Sequence, residues 1–464
     1  MIDPTTVLDN LLTLAGRDLS TANQVVIEGD DDPLLPTNYR LGAAGAAVIA
    51  ATGVAAADLW TLRTGQTQAV MVSLRAAASA LRSHLYLRVD GEPPRNLWDP
   101  VSGFYQTGDG RWIQLHCNFP HHRAGVVKLL GCDDSREGVA GAVAGWSGRA
   151  LEDALAEAHM CAGLVRRREA WQSHPQAQAV AQLPLFEIIK IGDSDPEPLG
   201  SGDRPLSNIR VLDLTRVIAG PVGGRTLAEH GAEVMRISGP HLPTIPPLVI
   251  DTGHGKRSAA LDLRTAHDLA KLHRLIKDSD IFLQSYRPGT LAGRGLSPDA
   301  LAQLRPGLIY VTLSAYSHHG PWQGRRGFDS LVQSASGIVD EESGGGSPQH
   351  LPAQALDYVS GYLLAFGAMV ALARRARSGG SYLVRVSLAQ TGHWLHHLGR
   401  IAGDWHDQDL PDLSFDRVQD LLTTSETPFG TLRHLAPVVQ LSTTPARWAR
   451  PAVPLGWHEP AFSE

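Results

Sequence analysis

The chain has 464 residues, 41 Lys plus Arg against 47 Asp plus Glu, and a formal net charge of −6 at pH 7. A length of this order predicts two or three domains with sizeable cores, and a mildly acidic balance gives no electrostatic footprint for nucleic acid. No uninterrupted apolar stretch reaches membrane-spanning length, so no membrane partner is expected. The three cysteines, Cys117, Cys132 and Cys161, lack CxxC spacing. Reduced thiols in a cytoplasmic protein are expected. The opening MIDPTTVLDNLLTLAG has no basic n-region, and no signal peptide is expected.

In chain order, residues 43–85 are Ala-rich and helical in character. FYQTGDGRWIQLHC (104–117) predicts a hairpin turning at Gly108-Asp109-Gly110, and 150–170 predicts a further helix. IGDSDPEPLGSGDRPLS, residues 191–207, is rich in Gly, Pro, Ser and Asp without apolar periodicity and predicts a linker. Strands follow at 209–214 (IRVLDL), 233–237 (EVMRI), 281–284 (IFLQ) and 308–313 (LIYVTL). Helices are expected between them, over 221–230 with Pro at its start and Gly231 past its end, and over 265–277 and 298–304. Strands alternating with helices predict an α/β fold: a Rossmann-like parallel sheet with helices on both faces, plus a smaller α+β portion.

The chain also echoes itself. Set without a gap against 357–388, residues 43–74 place Gly53, Arg63, Gly65, Val70, Val72, Ser73 and Leu74 opposite identical residues. Both copies predict a small-residue helix, a glycine and an alternating strand ending in Val-Ser-Leu. Ala43 faces Asp357, so the carboxylate is not needed to build the helix. The expected organisation is a truncated first copy over 1–190, a linker over 191–207, a Rossmann-like domain carrying Asp357 over 208–400, and a return segment over 401–464.

Asp357 is the single acidic residue of PAQALDYVSGYLLAFGAMVAL (352–372). By position alone it fits an ordinary carboxylate at a helix N-terminus. A carboxylate there also fits a nucleophile beside backbone N–H donors, expected to be ionised at pH 7 and so to need no general base. The turn LDLTRVIAGPVGG lacks GxGxxG spacing, and Ser238 rather than an acid closes the second strand, which argues against a dinucleotide. Metal is not expected. His393 and His397 share a helical face without the Glu of HExxH, and His121-His122 and His318-His319 are adjacent pairs.

The succession IRVLDLTRVIAGPVGGRTLAEHGAEVMRI, GKRSAALDLRT, YRPGTLAGRGLSPDAL, GPWQGRRGFDSLVQSASG and ALDYVSGYLLAFGAMVALARRARSGGSYLVRVSL resembles the class III CoA-transferases over about 205–390. That family includes formyl-CoA transferase, carnitine CoA-transferase and alpha-methylacyl-CoA racemase. Residues 40–190 resemble its later helical and small-domain part. The resemblance implies that Asp357 is the covalent nucleophile of a CoA transfer between an acyl-CoA and a carboxylic acid. It further implies that Arg216, Val217, Ile218 and Gly220 lie along CoA, with coenzyme A entering as part of the substrate rather than as a tightly bound cofactor. Arg264 and Arg326 stand where the family contacts CoA phosphates, although each by itself fits a solvated arginine. The family's interlocked dimers imply a homodimer. Phe328 occupies the place of a racemase histidine and cannot transfer a proton, which favours transfer over racemisation unless another His substitutes. A non-catalytic CoA-binding partner subunit and a racemase-like enzyme remain the alternatives.

Overall fold

A computed structural model of the protein describes residues 3–16, 24–29, 33–95, 97–402 and 412–463. Its centre is a seven-stranded sheet in the order Lys256–Ala260, Glu233–Ser238, Arg210–Asp213, Ile281–Gln284, Ile309–Ser314, Ser381–Ser387 and Phe186–Gly192. Every neighbouring pair is parallel except the last. The sheet starts at Arg210–Asp213, grows outward on one side, then reverses to the other from Ile281–Gln284. This doubly wound order leaves a crevice beyond the C-terminal ends of those two strands. The expected strands and intervening helices lie within one or two residues of their observed bounds, because buried parallel strands read as short apolar runs between punctuating Gly and Pro.

The last strand crosses the expected boundary at residue 191. Phe186–Gly192 pairs antiparallel with Ser381–Ser387, so the segment without helix or strand begins only after Gly192. The first copy is also joined to the second through one apolar core, in which the 24-residue helices Leu41–Thr64 and Ala355–Ser378 pack against each other. As helices, both are long and apolar enough to cross a membrane, which the sequence expectation missed. Their apolar windows are completely buried inside the protein instead. Of the expected return segment, residues 403–411 and 464 lie outside the described residues. The rest lies across both copies: Gln440–Leu441 pairs with Val70–Ser73, and the Ser463 amide donates to Glu233 at 2.8 Å.

The echo in sequence is an echo in packing. A Cβ at Gly53 would meet Val70 Cγ1 at 2.5 Å, and a Cβ at Gly367 would meet Val384 Cγ1 at 2.6 Å. Each glycine lets its helix close onto the valine of its own following strand. Ser73 and Ser387 then cap the next helix, accepting from the amides of Ala76 and Gln390. The Val70–Ser73 strand of the first copy joins a three-stranded sheet with Val25–Glu28 and Gln440–Leu441, where its counterpart Ser381–Ser387 joins the seven-stranded sheet.

The small portion contains the expected hairpin, Gly103–Gln106 with Trp112–Leu115, around its own core. The single helix expected over 150–170 is not there. The Gly148–Glu157 helix stops before His159, which takes a φ of 59°. Ala162–Leu164 then forms a strand on Trp112–Leu115, followed by a short helix Arg168–Gln172. Close packing explains the strand: a Cβ at Gly163 would lie 3.2 Å from the Leu331 carbonyl oxygen. The small sheet and the Asp329–Ser336 helix are thereby pressed together. The Arg166 amide donates to Ser334 O at 3.0 Å, and the Ser334 hydroxyl to Gln114 at 2.6 Å.

Candidate active site

The crevice at the sheet's reversal point is walled by the turn after Arg210–Asp213, the loop after Ile281–Gln284, the small portion and the start of the Ala355–Ser378 helix. The first turn is rigidly tied. Lys256 Nζ, fully buried, donates to Asp213 at 2.8 Å and to the Pro221 carbonyl at 2.7 Å, and Asp213 also accepts the Thr215 amide at 2.9 Å. Within this turn Val217 has a φ of 72°. A β-branched side chain there costs on the order of 1–3 kcal/mol, which the surrounding ties must offset.

Asp357 is 8% exposed, in the first turn of its helix. The expectation that it would draw on the free amides of that helix start fails. Its own N–H donates to Asp329 Oδ2 at 2.9 Å, so a second buried carboxylate occupies the donor. Asp329 is held in turn by the Gln333 side-chain amide, and Gln333 Oε1 accepts the Leu351 amide at 2.9 Å. Among the described residues no group hydrogen-bonds the Asp357 carboxylate. Burial, reinforced by the neighbouring Asp329 charge, pushes Asp357 well above the usual carboxylate range. Burial raises Asp329 to about 7. The expectation of an Asp357 simply ionised at pH 7 is therefore corrected: two adjoining buried carboxyls retain a proton between them near neutrality.

Asp357 borders two compartments of opposite character. On one side is a cleft of about 360 Å³, whose cationic wall includes Arg216, Arg287, Arg325 and Arg326. Among the described residues Arg216, Arg287 and Arg326 have no carboxylate partner. Arg216 donates to the Pro243 carbonyl and lies 5.4 Å from the Phe119 ring, and Arg326 lies 2.9 Å from His122 Nε2. Burial presses His122 down to about 3, leaving it neutral at pH 7. Arg325 is held by Glu152, which also pairs with Arg166. On the other side is a largely apolar cavity of about 290 Å³. Val217, Ile218, Phe328 and Asp357 border both compartments.

Of the residues singled out from sequence, Asp357, Arg216, Val217, Ile218 and Arg326 thus meet at one crevice. Gly220 does not line it. It lies inside the Ala219–Glu229 helix, where a Cβ would be 2.3 Å from Thr215 Cβ, so its lack of a side chain lets the helix close on the turn. Arg264 is well exposed, ion-paired to Asp262 at 2.7 Å, and borders an adjoining hollow that shares Leu242, Tyr286 and Thr290 with the cationic cleft. The sequence reading missed Asp329, His116 and Arg287, and weighed His122 only as part of an adjacent pair unsuited to a metal. Asp329 stood in the GFD stretch, where only Phe328 was weighed. Phe328 stacks on His116, with centroids 4.0 Å apart, and burial pushes that imidazole down to about 3.

The doubly wound sheet thus sets a buried carboxylate, Asp357, between a cationic cleft and a largely apolar cavity. The profile of CoA-transferase family III matches residues 20–183 and 206–399, and the chain belongs to that family. It is 35% identical over 227 residues to the "Probable fatty acyl-CoA transferase Rv3272" of Mycobacterium tuberculosis, covering 45% of this chain and 58% of that protein. It is 31% identical over 338 residues to the "Acetyl-coenzyme A transferase nodX" of Hypoxylon pulicicidum, covering 68% and 56%. It is 32% identical over 231 residues to the "Succinyl-CoA--L-malate CoA-transferase alpha subunit" of Chloroflexus aurantiacus, covering 46% and 52%. The chain thus spans little more than half the length of each of these relatives. A crystal structure of the Mycobacterium tuberculosis protein matches with a TM-score of 0.38 at 33% identity, covering 42% of this chain and 60% of that one.

Proposed function

We propose that this chain moves CoA from an acyl-CoA donor to a carboxylic acid through covalent intermediates on Asp357. The observation that carries this reading is the position of Asp357 at the border of the two compartments. Phosphates in the cationic cleft and an acyl group in the apolar cavity would place a thioester carbonyl against it. The Asp357 carboxylate attacks that carbonyl and expels CoA thiolate, giving a mixed anhydride. The thiolate attacks the aspartyl carbonyl, releasing the donor acid and leaving an aspartyl-CoA thioester. The acceptor carboxylate reverses these two steps, leaving as acyl-CoA and returning Asp357 as a carboxylate. The buried pair retains one proton, and the attack proceeds from the state in which Asp329 carries it and Asp357 is the anion. The protein working as a homodimer in the cytoplasm belongs to the same proposal.

Hydroxylamine tests it, because it attacks anhydrides and thioesters but not a resting carboxylate. Acyl-CoA plus hydroxylamine should leave a hydroxamate that peptide mass spectrometry maps to Asp357. Asp357→Ala should bind CoA and form no adduct; turnover close to wild type in that variant would remove Asp357 from the mechanism.

A further inference from the structure

The apolar side of the crevice carries information about the acyl group itself. Its wall is formed by Leu85, Leu97, Trp98, Leu248, Val217 and Phe328. It adjoins a second hollow of about 350 Å³ bounded by Phe104, His350 and Leu351, sharing Trp98, Asp329 and Gln354 with the first. The rings form a continuous lining. Trp98 stacks on His350 at 5.8 Å, Phe104 lies 4.7 Å from His350, and Trp98 meets His116 edge-on at 5.6 Å.

The three imidazoles of this lining supply no cation at neutral pH. Burial lowers His84 and His350 to about 4, as it lowers His116 to about 3. His84 Nδ1 is engaged by the Tyr358 hydroxyl at 2.8 Å. Asn118 Oδ1 is taken by the Asp99 amide and the Ser102 hydroxyl. Two arginines, Arg88 and Arg95, also border the cavity. Arg88 lies over the Phe415 ring at 3.9 Å and donates to the Leu85 and Leu87 carbonyls, and Arg95 is exposed. The acidic groups facing the interior are Asp329 and Asp357, which repel a second anion. A carboxylate at the far end of an acyl chain would lose its water here and meet apolar walls and neutral donors such as Ser330 and Gln354, with no free cation among the described interior residues to balance its charge.

We infer that this compartment takes the acyl chain of an apolar monocarboxylic acid, aliphatic or aromatic, and discriminates against short dicarboxylates. The inference rests on the transferase reading above and adds the class of substrate. Size follows from the same lining, since each buried methylene adds roughly 0.8 kcal/mol, about a fourfold gain in binding. An acetyl group leaves most of the volume unfilled. Affinity should therefore climb with chain length until both hollows are occupied.

The probe pair is succinyl-CoA and 4-methylpentanoyl-CoA, in which an isopropyl group replaces the terminal carboxylate at nearly constant shape. The second-order rate of CoA thiol release in the presence of hydroxylamine, one thiol per Asp357 trapped, gives the efficiency with which the full-length protein uses each thioester. The branched thioester should be preferred at least 100-fold, and Trp98→Ala should cut that preference at least tenfold while calorimetry shows CoA still bound. Equal use of the two thioesters, or preference for succinyl-CoA, overturns the inference and leaves the transferase reading standing. An unchanged preference in Trp98→Ala places the acyl chain elsewhere and also overturns it. Release from neither thioester removes the transferase reading, and the inference with it.

Discussion

Asp329→Asn separates the buried carboxylate pair from everything else in the crevice. The substituted side chain keeps an oxygen to accept the Asp357 amide but loses the acceptor for the Gln333 amide, so the informative readout is the pH dependence of stability rather than its absolute value. In the wild type Asp329 is raised to about 7 from an ordinary value of 3.8. The folded state therefore holds a proton that the unfolded chain releases near pH 4. That contribution to stability is fully present below pH 4 and is lost as pH rises through about 7. At about 1.36 kcal/mol per pH unit, the two units between pH 5 and pH 7 amount to roughly 3 kcal/mol, an upper bound for a coupled pair. Glu229 and Glu342, each raised by burial to about 8, impose the same trend in both proteins, so the difference between variant and wild type is what counts. Urea unfolding at pH 5 and pH 8 should show Asp329→Asn losing less stability than the wild type over that interval, by up to about 3 kcal/mol. The pH profile of hydroxylamine trapping should move to lower pH, because Asp357 loses a neighbouring negative charge. Equal losses of stability, with an unmoved trapping profile, would refute the shared-proton account.

Arg326→Ala should raise KM for acyl-CoA about 10- to 100-fold with a smaller change in kcat, as expected for the loss of one charge-assisted phosphate contact made equally in ground and transition states; steady-state kinetics decide. Arg264→Ala should change KM less, because Arg264 is exposed and paired with Asp262 at the outer hollow. Gly367→Ala and Gly53→Ala should each lower the unfolding free energy by about 1–3 kcal/mol, since the new methyl would meet a valine at 2.6 Å or 2.5 Å; denaturation midpoints measure this. A fragment beginning at Ser207 lacks Trp98, His116 and the Phe186–Gly192 strand, and it should form no adduct at Asp357 under acyl-CoA and hydroxylamine; normal labelling would make the first 190 residues dispensable.

The sequence by itself determined the doubly wound sheet, the two related helix–strand units and the prominence of Asp357. Each is written in local order: apolar runs between Pro and Gly give the strands and helices, and a small-residue helix, a glycine and a strand ending in Val-Ser-Leu occur twice along the chain. The linker and the 150–170 segment were misjudged where pairing partners lie far away. Ala162–Leu164 is a strand because Trp112–Leu115 offers it an edge, and Phe186–Gly192 because Ser381–Ser387 does. The chemistry of the site was the least local property of all. Asp357 read as an ionised side chain at the start of an apolar helix. Folding sets Asp329, 28 residues earlier, against its amide, a cationic cleft on one side and the Trp98 and His350 rings beyond it. A carboxylate's charge state depends on desolvation and on neighbouring charges at a few ångströms, and only the tertiary structure decides which groups those are.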